Sequence, residues 1–334
     1  MKLKLYIFII GLCFVSQMKA QDPIFSQYFL VPQTLNPGFS GFMETTHMGI
    51  VHRTQWPALG LQIDTNYAFA STWFPEANSG VGISFLNQRE SQSGYVFSQF
   101  NVNYAYQVQL SDDWYFRPGI EVGRGWKNLG FQGLLLEDQI NIQTNVISAS
   151  SIDLLSLNDG AIGFWDISAG LLFNTEQAWI GISAKHLNRP NISLTLGGNV
   201  PLETFFSISA GYEFLVTDFI DIRFLPFETR LMVTGNFMRQ GQFNRFDIGT
   251  SLSVGRFFLG SILVTNPSKN SGNSHLLTSV NTFLGLQYTN FRFGVSYDFN
   301  TSKIGRTGGI YELSLTYQFD SEAKRCYGCP DYQK

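Results

Sequence analysis

The sequence predicts an all-β fold: an antiparallel transmembrane outer-membrane β-barrel of about 14 strands with both termini periplasmic. Three observations predict it. The 334-residue chain is 44% hydrophobic and 15% aromatic but only 14% charged, whereas ordinary soluble domains are about a quarter charged. Segments of alternating polarity recur along most of its length, so each presents one apolar and one polar face when extended. The gaps between them alternate in size, which suits a barrel with long loops at one mouth and short turns at the other.

Residues 1–20 read as an export signal. Lys2 and Lys4 precede an apolar core from Leu5 to Val15, and Ala20 supplies a small residue before Gln21. That core is too short for a spanning helix, and no other stretch holds the roughly 20 apolar residues one needs. Leu12 is too bulky to precede a lipidated Cys13. Any membrane crossing is therefore left to strands. Residues 21–44 carry three prolines and alternate poorly, and they read as an irregular leader, periplasmic or a plug.

Alternation then defines the barrel, residues 45–319. The segments are 45–56, 60–74, 79–88, 94–110, 113–127, 161–174, 177–187, 203–216, 219–237, 244–254, 257–265, 279–288, 290–299 and 309–319. In the second, Tyr67, Phe69 and Trp73 oppose Asp64, Asn66 and Thr72, which assigns the rings to lipid and Asp64 to the lumen. In the ninth, the phase slips near Pro226, which predicts a bulge. The last puts Tyr311, Leu313, Leu315, Tyr317 and Phe319 opposite Glu312, Ser314, Thr316 and Gln318. The longer gaps are 89–93, 129–160, 188–202, 266–278 and 300–308; the tight ones are 75–78, 111–112, 175–176, 217–218 and 289. A soluble sandwich has no reason to keep length in step with parity.

The polar faces share one lumen. They carry Arg53, Arg117, Lys127, Lys185 and Arg292 with Asp64, Glu121, Asp166, Glu213, Asp247, Asp298 and Glu312. Mixed signs exclude a single-sign selectivity ring. Such charges must pair or stay wet, so they read as a cross-lumen network that stiffens or narrows the pore, with a solute path as the sharper alternative. His47, His52, His186 and His275 show no paired metal spacing and read as girdle or loop residues. No nucleophile elbow, phosphate loop or carboxylate constellation stands out, so no catalytic, cofactor or metal residue is assigned and an outer-membrane enzyme is the weakest reading. The net charge of −3 offers no basic stripe to nucleic acid. Beyond the last strand, residues 320–334 form a tail with Cys326 and Cys329 as a lone CxxC. It reads as a disulfide or idle thiols ahead of a redox pair or half a metal site.

Several runs together resemble one family. They are the leader QDPIFSQYFLVPQTLNPGFSG, HRTQWPAL in the first strand, LLLEDQI at 134–140, ISAKHLNRPN at 182–191, FRFGVSYDF at 291–299, YELSLTYQF and the final CxxCP. In that order they resemble the PorP/SprF family of Bacteroidetes outer-membrane proteins, over nearly the whole mature chain. The small residue of the family's NPA motif is Gly38 here, a mild departure. The resemblance implies an outer-membrane component of type IX secretion and gliding, with no cofactor. Its implied partners are outer-membrane lipid, the translocon, a periplasmic ring lipoprotein complex and a secreted cargo or adhesin. Loops 129–160 and 188–202 would meet the cargo, and the leader and tail would meet periplasmic partners. A general porin or small-solute or lipid channel is the alternative.

Overall fold

A strand with one apolar face must bury or solvate the other, and fourteen such strands here solve the problem by closing on themselves. The computed structural model describes residues 22–129, 140–141, 146–147, 162–194, 197–219, 225–226, 228–267, 276–301 and 307–319. The strands are β1 (His47–Gln55), β2 (Ile63–Phe74), β3 (Ser79–Glu90), β4 (Tyr95–Tyr106), β5 (Tyr115–Leu129), β6 (Ile162–Asn174) and β7 (Ala178–Lys185). They continue as β8 (Phe205–Leu215), β9 (Arg230–Gln240), β10 (Phe243–Val254), β11 (Phe257–Thr265), β12 (Leu277–Tyr288), β13 (Phe291–Asn300) and β14 (Ile310–Gln318). Each pairs antiparallel with its neighbours in sequence, and β14 pairs with β1 from Gln318↔His47 to Ile310↔Gln55, closing a 14-stranded barrel. Closure leaves no free edge, which is what a sheet in lipid requires.

The burial pattern matches that environment. On β14, Tyr311 and Leu313 are exposed on the outer face while Glu312, Ser314 and Thr316 are buried inside. No helix among the described residues is long and apolar enough to cross a membrane.

Two connections depart from the expected parity. The segment 219–237 is not one bulged strand. β9 begins at Arg230, and Pro226 lies in the turn before it, where its carbonyl accepts from the Thr229 amide. Proline cannot donate to a ladder, so it ends the strand rather than bending it. The connection 216–229 is thus long although it lies at the turn end, and Gly241–Gln242 is a tight turn at the loop end.

The leader is inside the barrel. Residues 22–44 bond or pack against strands around the circumference, from β2 through β6, β9 and β12 to β14. A segment outside a closed wall could reach only adjacent strands. The Asp22 amide donates to Gln240 at the loop end, and the chain then crosses the lumen to Gly41, whose amide donates to Ser71 near the turn end. Phe319 also lies at the turn end, its amide on the Thr46 carbonyl. Asp22 and Phe319 therefore lie at opposite mouths, because the leader crosses the pore to deliver β1.

Candidate functional site: the occupied lumen

The leader is built as a series of short turns that expose polar backbone. Pro32–Thr34 and Pro37–Phe39 are single 3-10 turns, each with proline at its start, where a missing amide hydrogen costs nothing. Unpaired amides and carbonyls of such a segment need partners when buried. The wall supplies them at three levels.

At the loop end the partners are charged. Glu312 on β14 accepts from the Ser26 amide at 2.8 Å and the Gln27 amide at 2.9 Å, and it pairs with Arg53 of β1 at 2.6 Å. Across the lumen His186, the residue after β7, bonds Asp166 of β6 through Nδ1 at 2.9 Å and Asp22 of the leader through Nε2 at 2.6 Å. Burial alone would raise the Asp22 carboxyl, but the His186 imidazolium overrides it and lowers the group to about 2, with Lys185 and Lys127 adding to the pull. Burial likewise opposes a charged His186, yet Asp22 and Asp166 raise it to about 10. The imidazolium is thus fixed between two carboxylates, in a left-handed backbone conformation with φ of 58°.

The middle is apolar. Tyr28 and Leu35 pack with Phe205, Met238, Ile262, Val264 and Phe283, and Phe25 and Val31 pack with Val51, Tyr67 and Phe69. Tyr28 donates or accepts at Thr234 across 2.8 Å.

At the turn end the leader's backbone touches the wall's backbone. Asn36 caps Pro37–Phe39 by accepting from the Gly38 amide at 2.8 Å, and its side-chain amide donates to the Leu171 and Ile182 carbonyls. The leader then runs over glycines: a Cβ on Gly119 would lie 2.6 Å from the Pro37 carbonyl carbon, and one on Gly80 would overlap Ser40. Arg117 donates to the Gly38 and Ser40 carbonyls and stacks on Phe42 and Trp73.

Of the residues assigned to the lumen, Arg53, Arg117, Glu121, Lys127, Asp166, Asp247, Asp298 and Glu312 are buried on inward positions. Their bonds run to near neighbours, not across the pore. Glu121 accepts from Asn103, and Asp247 pairs with Arg245 two residues away at 2.8 Å. Lys185 closes β7 beside Asp22. Glu213 pairs with Arg230 at 2.7 Å, and Arg292 donates to Gln287; Glu213 and Arg292 sit near the turn mouth and are half-buried. The span across the lumen is made by the leader.

Asp64 is misassigned. On β2 it is Thr65, Tyr67 and Phe69 that face inward, and Asp64 lies on the outer face, bonded to Thr54 and Gln62. Alternation fixes two faces but not which one meets lipid. Phe25 of the leader, with its ring 5.4 Å from that of Tyr67, reverses the usual assignment. Of the histidines, His186 is an internal ion-pair partner and not a girdle residue, His52 is on the outer face, His47 packs on Phe69, and His275 lies outside the described residues. Arg245 shares the inward face of β10 with Asp247, two residues on, and was legible by the same alternation, whereas Asp22, Gln27 and Asn36 carry no periodic signal. The proline-interrupted amphipathic leader was the one hint of them. Most of 129–160 and all of 320–334, with Cys326 and Cys329, lie outside the described residues. Among those described, no group of three His, Cys, Asp or Glu could hold a metal ion.

The model of a family described as "Type IX secretion system membrane protein PorP/SprF" matches residues 17–317. No curated protein matches. Among solved structures, the chain is similar to the P. putida toluene transporter TodX, at 9% identity and a TM-score of 0.48, over 86% of this chain and 94% of that one. It is also similar to Acinetobacter baumannii Omp33, at 6% identity and a TM-score of 0.43, over 83% and 98%. For the KdgM porin the values are 11%, 0.36, 82% and 99%.

Proposed function

Because the chain belongs to the PorP/SprF family of type IX secretion system membrane proteins, we propose that it is a non-enzymatic accessory barrel that aids secretion or surface anchoring of a secreted protein or adhesin, in a machinery that also serves gliding. One observation carries this reading: the lumen is filled by the chain's own leader, bonded to the wall at both mouths and in the middle. A barrel so filled has its working surfaces at its two ends. The loop end suits a secreted cargo or adhesin at the cell surface. The turn end suits the translocon and the periplasmic ring lipoprotein complex, with lipid around the wall.

Affinity purification from envelopes tests the assignment. Co-recovery of secretion-system proteins or cargo is expected, and recovery of the barrel alone overturns it. Planar-bilayer recording tests the rival reading as a general porin or small-solute or lipid channel. The intact barrel should pass little current, and porin-like conductance would favour the rival.

A further inference from the structure

The outer wall carries a second feature, which stands whether or not the barrel serves secretion. On β5 the outward positions run Ile120, Val122, Arg124, Trp126 and Asn128 towards the loop end. Ile120 and Val122 are exposed members of the apolar band, Arg124 is the next outward residue, and Trp126 still stands beyond it. A guanidinium between the apolar band and a tryptophan lies within the aromatic girdle, which marks headgroup level on a membrane barrel. Two neighbours agree on that level. Trp165 of β6 is opposite Arg124 in register and exposed on the same face. Beside it β7 has already ended, and the exposed loop residue Asn188 donates to the Trp165 carbonyl and accepts from the Ile167 amide.

The Arg124 side chain is seated rather than splayed into solvent. Its guanidinium carbon lies 5.2 Å from the centre of the Trp165 ring. The guanidinium also lies across Gly163, where a Cβ would stand 2.6 Å from Nη2. Trp126 is opposite Gly163 in register, so a second indole borders the same seat. Ring contact holds the guanidinium in place but occupies none of its five N–H donors. Among the described residues Arg124 has no ion pair or hydrogen bond, whereas Arg53, Arg189, Arg230 and Arg245 each pair with a carboxylate.

The niche is therefore rich in donors: a guanidinium and two indoles, none of which has an acceptor atom. Hydrocarbon cannot serve them, and a neutral headgroup would leave the charge unmet. A phosphate supplies both the opposite charge and oxygens spaced for the planar fork. We infer that Arg124, seated between Trp126 and Trp165, binds the phosphate of a lipid in the leaflet at the loop end. The chains of that lipid would lie on Ile120, Val122 and Phe100, the last being opposite Arg124 on β4.

Native mass spectrometry of the detergent-solubilised barrel tests this with three probes: phosphatidic acid, diacylglycerol with the same chains, and inorganic phosphate. The unaltered barrel should retain one phosphatidic acid and little diacylglycerol. Arg124→Gln should weaken phosphatidic acid binding roughly tenfold. Arg239→Gln should leave it unchanged, because that exposed arginine near the loop end serves the Gly241 carbonyl. Gly163→Val keeps the charge but fills the seat, and a loss in the same direction is expected. The group it displaces is the free end of a flexible side chain, so this variant should assemble, shown by its heat shift, even where Arg124→Gln does not. No lipid retained by the unaltered barrel, equal retention of diacylglycerol, displacement by equimolar inorganic phosphate, an equal loss in Arg239→Gln, or undiminished binding in both Arg124→Gln and Gly163→Val would overturn the proposal.

Discussion

The two ends of the leader are held by different physics. At the loop end, desolvated charges do it: Glu312 accepts two leader amides, and His186 clamps Asp22 against Asp166. At the turn end, shape does it: the leader's backbone lies on Gly80 and Gly119, and Asn36 reaches the wall's own carbonyls. A charged clamp is strong, directional and open to titration. A glycine cradle is indifferent to pH but intolerant of a single carbon. The loop end is therefore the end that conditions can loosen, and the turn end acts as the fixed hinge next to β1.

The largest expected effect breaks the charged end. Glu312→Ala removes the acceptor of the Ser26 and Gln27 amides and strands Arg53 in the lumen. Removing one partner of a buried pair costs about 3–5 kcal/mol. Ser26→Cys, with the native cysteines replaced, reports leader exposure by thiol labelling and should label far faster in this background. Replacing both partners, Arg53→Met with Glu312→Leu, should restore part of the loss, because no buried charge is then left alone. Equal labelling with and without Glu312 would show that shape alone holds the leader.

The steric end is broken by Gly119→Val, for which overpacking costs about 1–3 kcal/mol. A Cβ there strikes the Pro37 carbonyl carbon, whereas one on Gly235 meets nothing within 4 Å, so Gly235→Val is the matched control. Urea midpoints of the assembled barrel should fall for the first and hold for the second. A smaller loss, about 1–2 kcal/mol, is expected for Asn36→Ala, which deletes a turn cap and leaves two carbonyls unserved. Asn36→Asp keeps the cap acceptor but sets a buried carboxylate oxygen against the Leu171 and Ile182 carbonyls, so it should cost at least as much as Asn36→Ala.

The wall was far more legible in the sequence than its contents. Period-2 alternation located the strands, although it began the ninth at 219 where the strand starts at Arg230, because lipid and lumen impose opposite polarity on neighbouring residues of most strands. β2 failed that rule, as Tyr67 and Phe69 face a leader that brings its own Phe25 and Val31 into the lumen. The leader has no period to read, because its successive turns meet different strands. His186 carries one further lesson. Its place just beyond a strand is visible in the sequence, but its partners lie 20 and 164 residues away; Asp166 comes from the register of the neighbouring strand, and Asp22 only from the leader's path through the lumen.

The smallest effect is the most diagnostic, because it acts on one end alone. Asp22 is depressed to about 2, so its contribution is present above its ordinary value near 3.8 and fades as pH falls towards 2. His186 is raised to about 10, so its contribution is full below 6.5 and is lost as pH rises through 10. The clamp is thus at full strength between about 4 and 6.5, weakens steadily above that, and is gone past 10. With Asp22 side-chain exposure at 23%, solvent screening limits the effect to about 1 kcal/mol. Labelling of Ser26→Cys, scaled to an unfolded sample at each pH to remove the thiol's own titration, should rise several-fold between pH 7 and pH 10.5. In His186→Gln the rise should vanish and the starting rate should already be elevated. Labelling near Ser40, at the glycine end, should stay flat over the same range. A parallel rise at both positions would mean that alkali loosens the barrel as a whole and that the two ends are not independent.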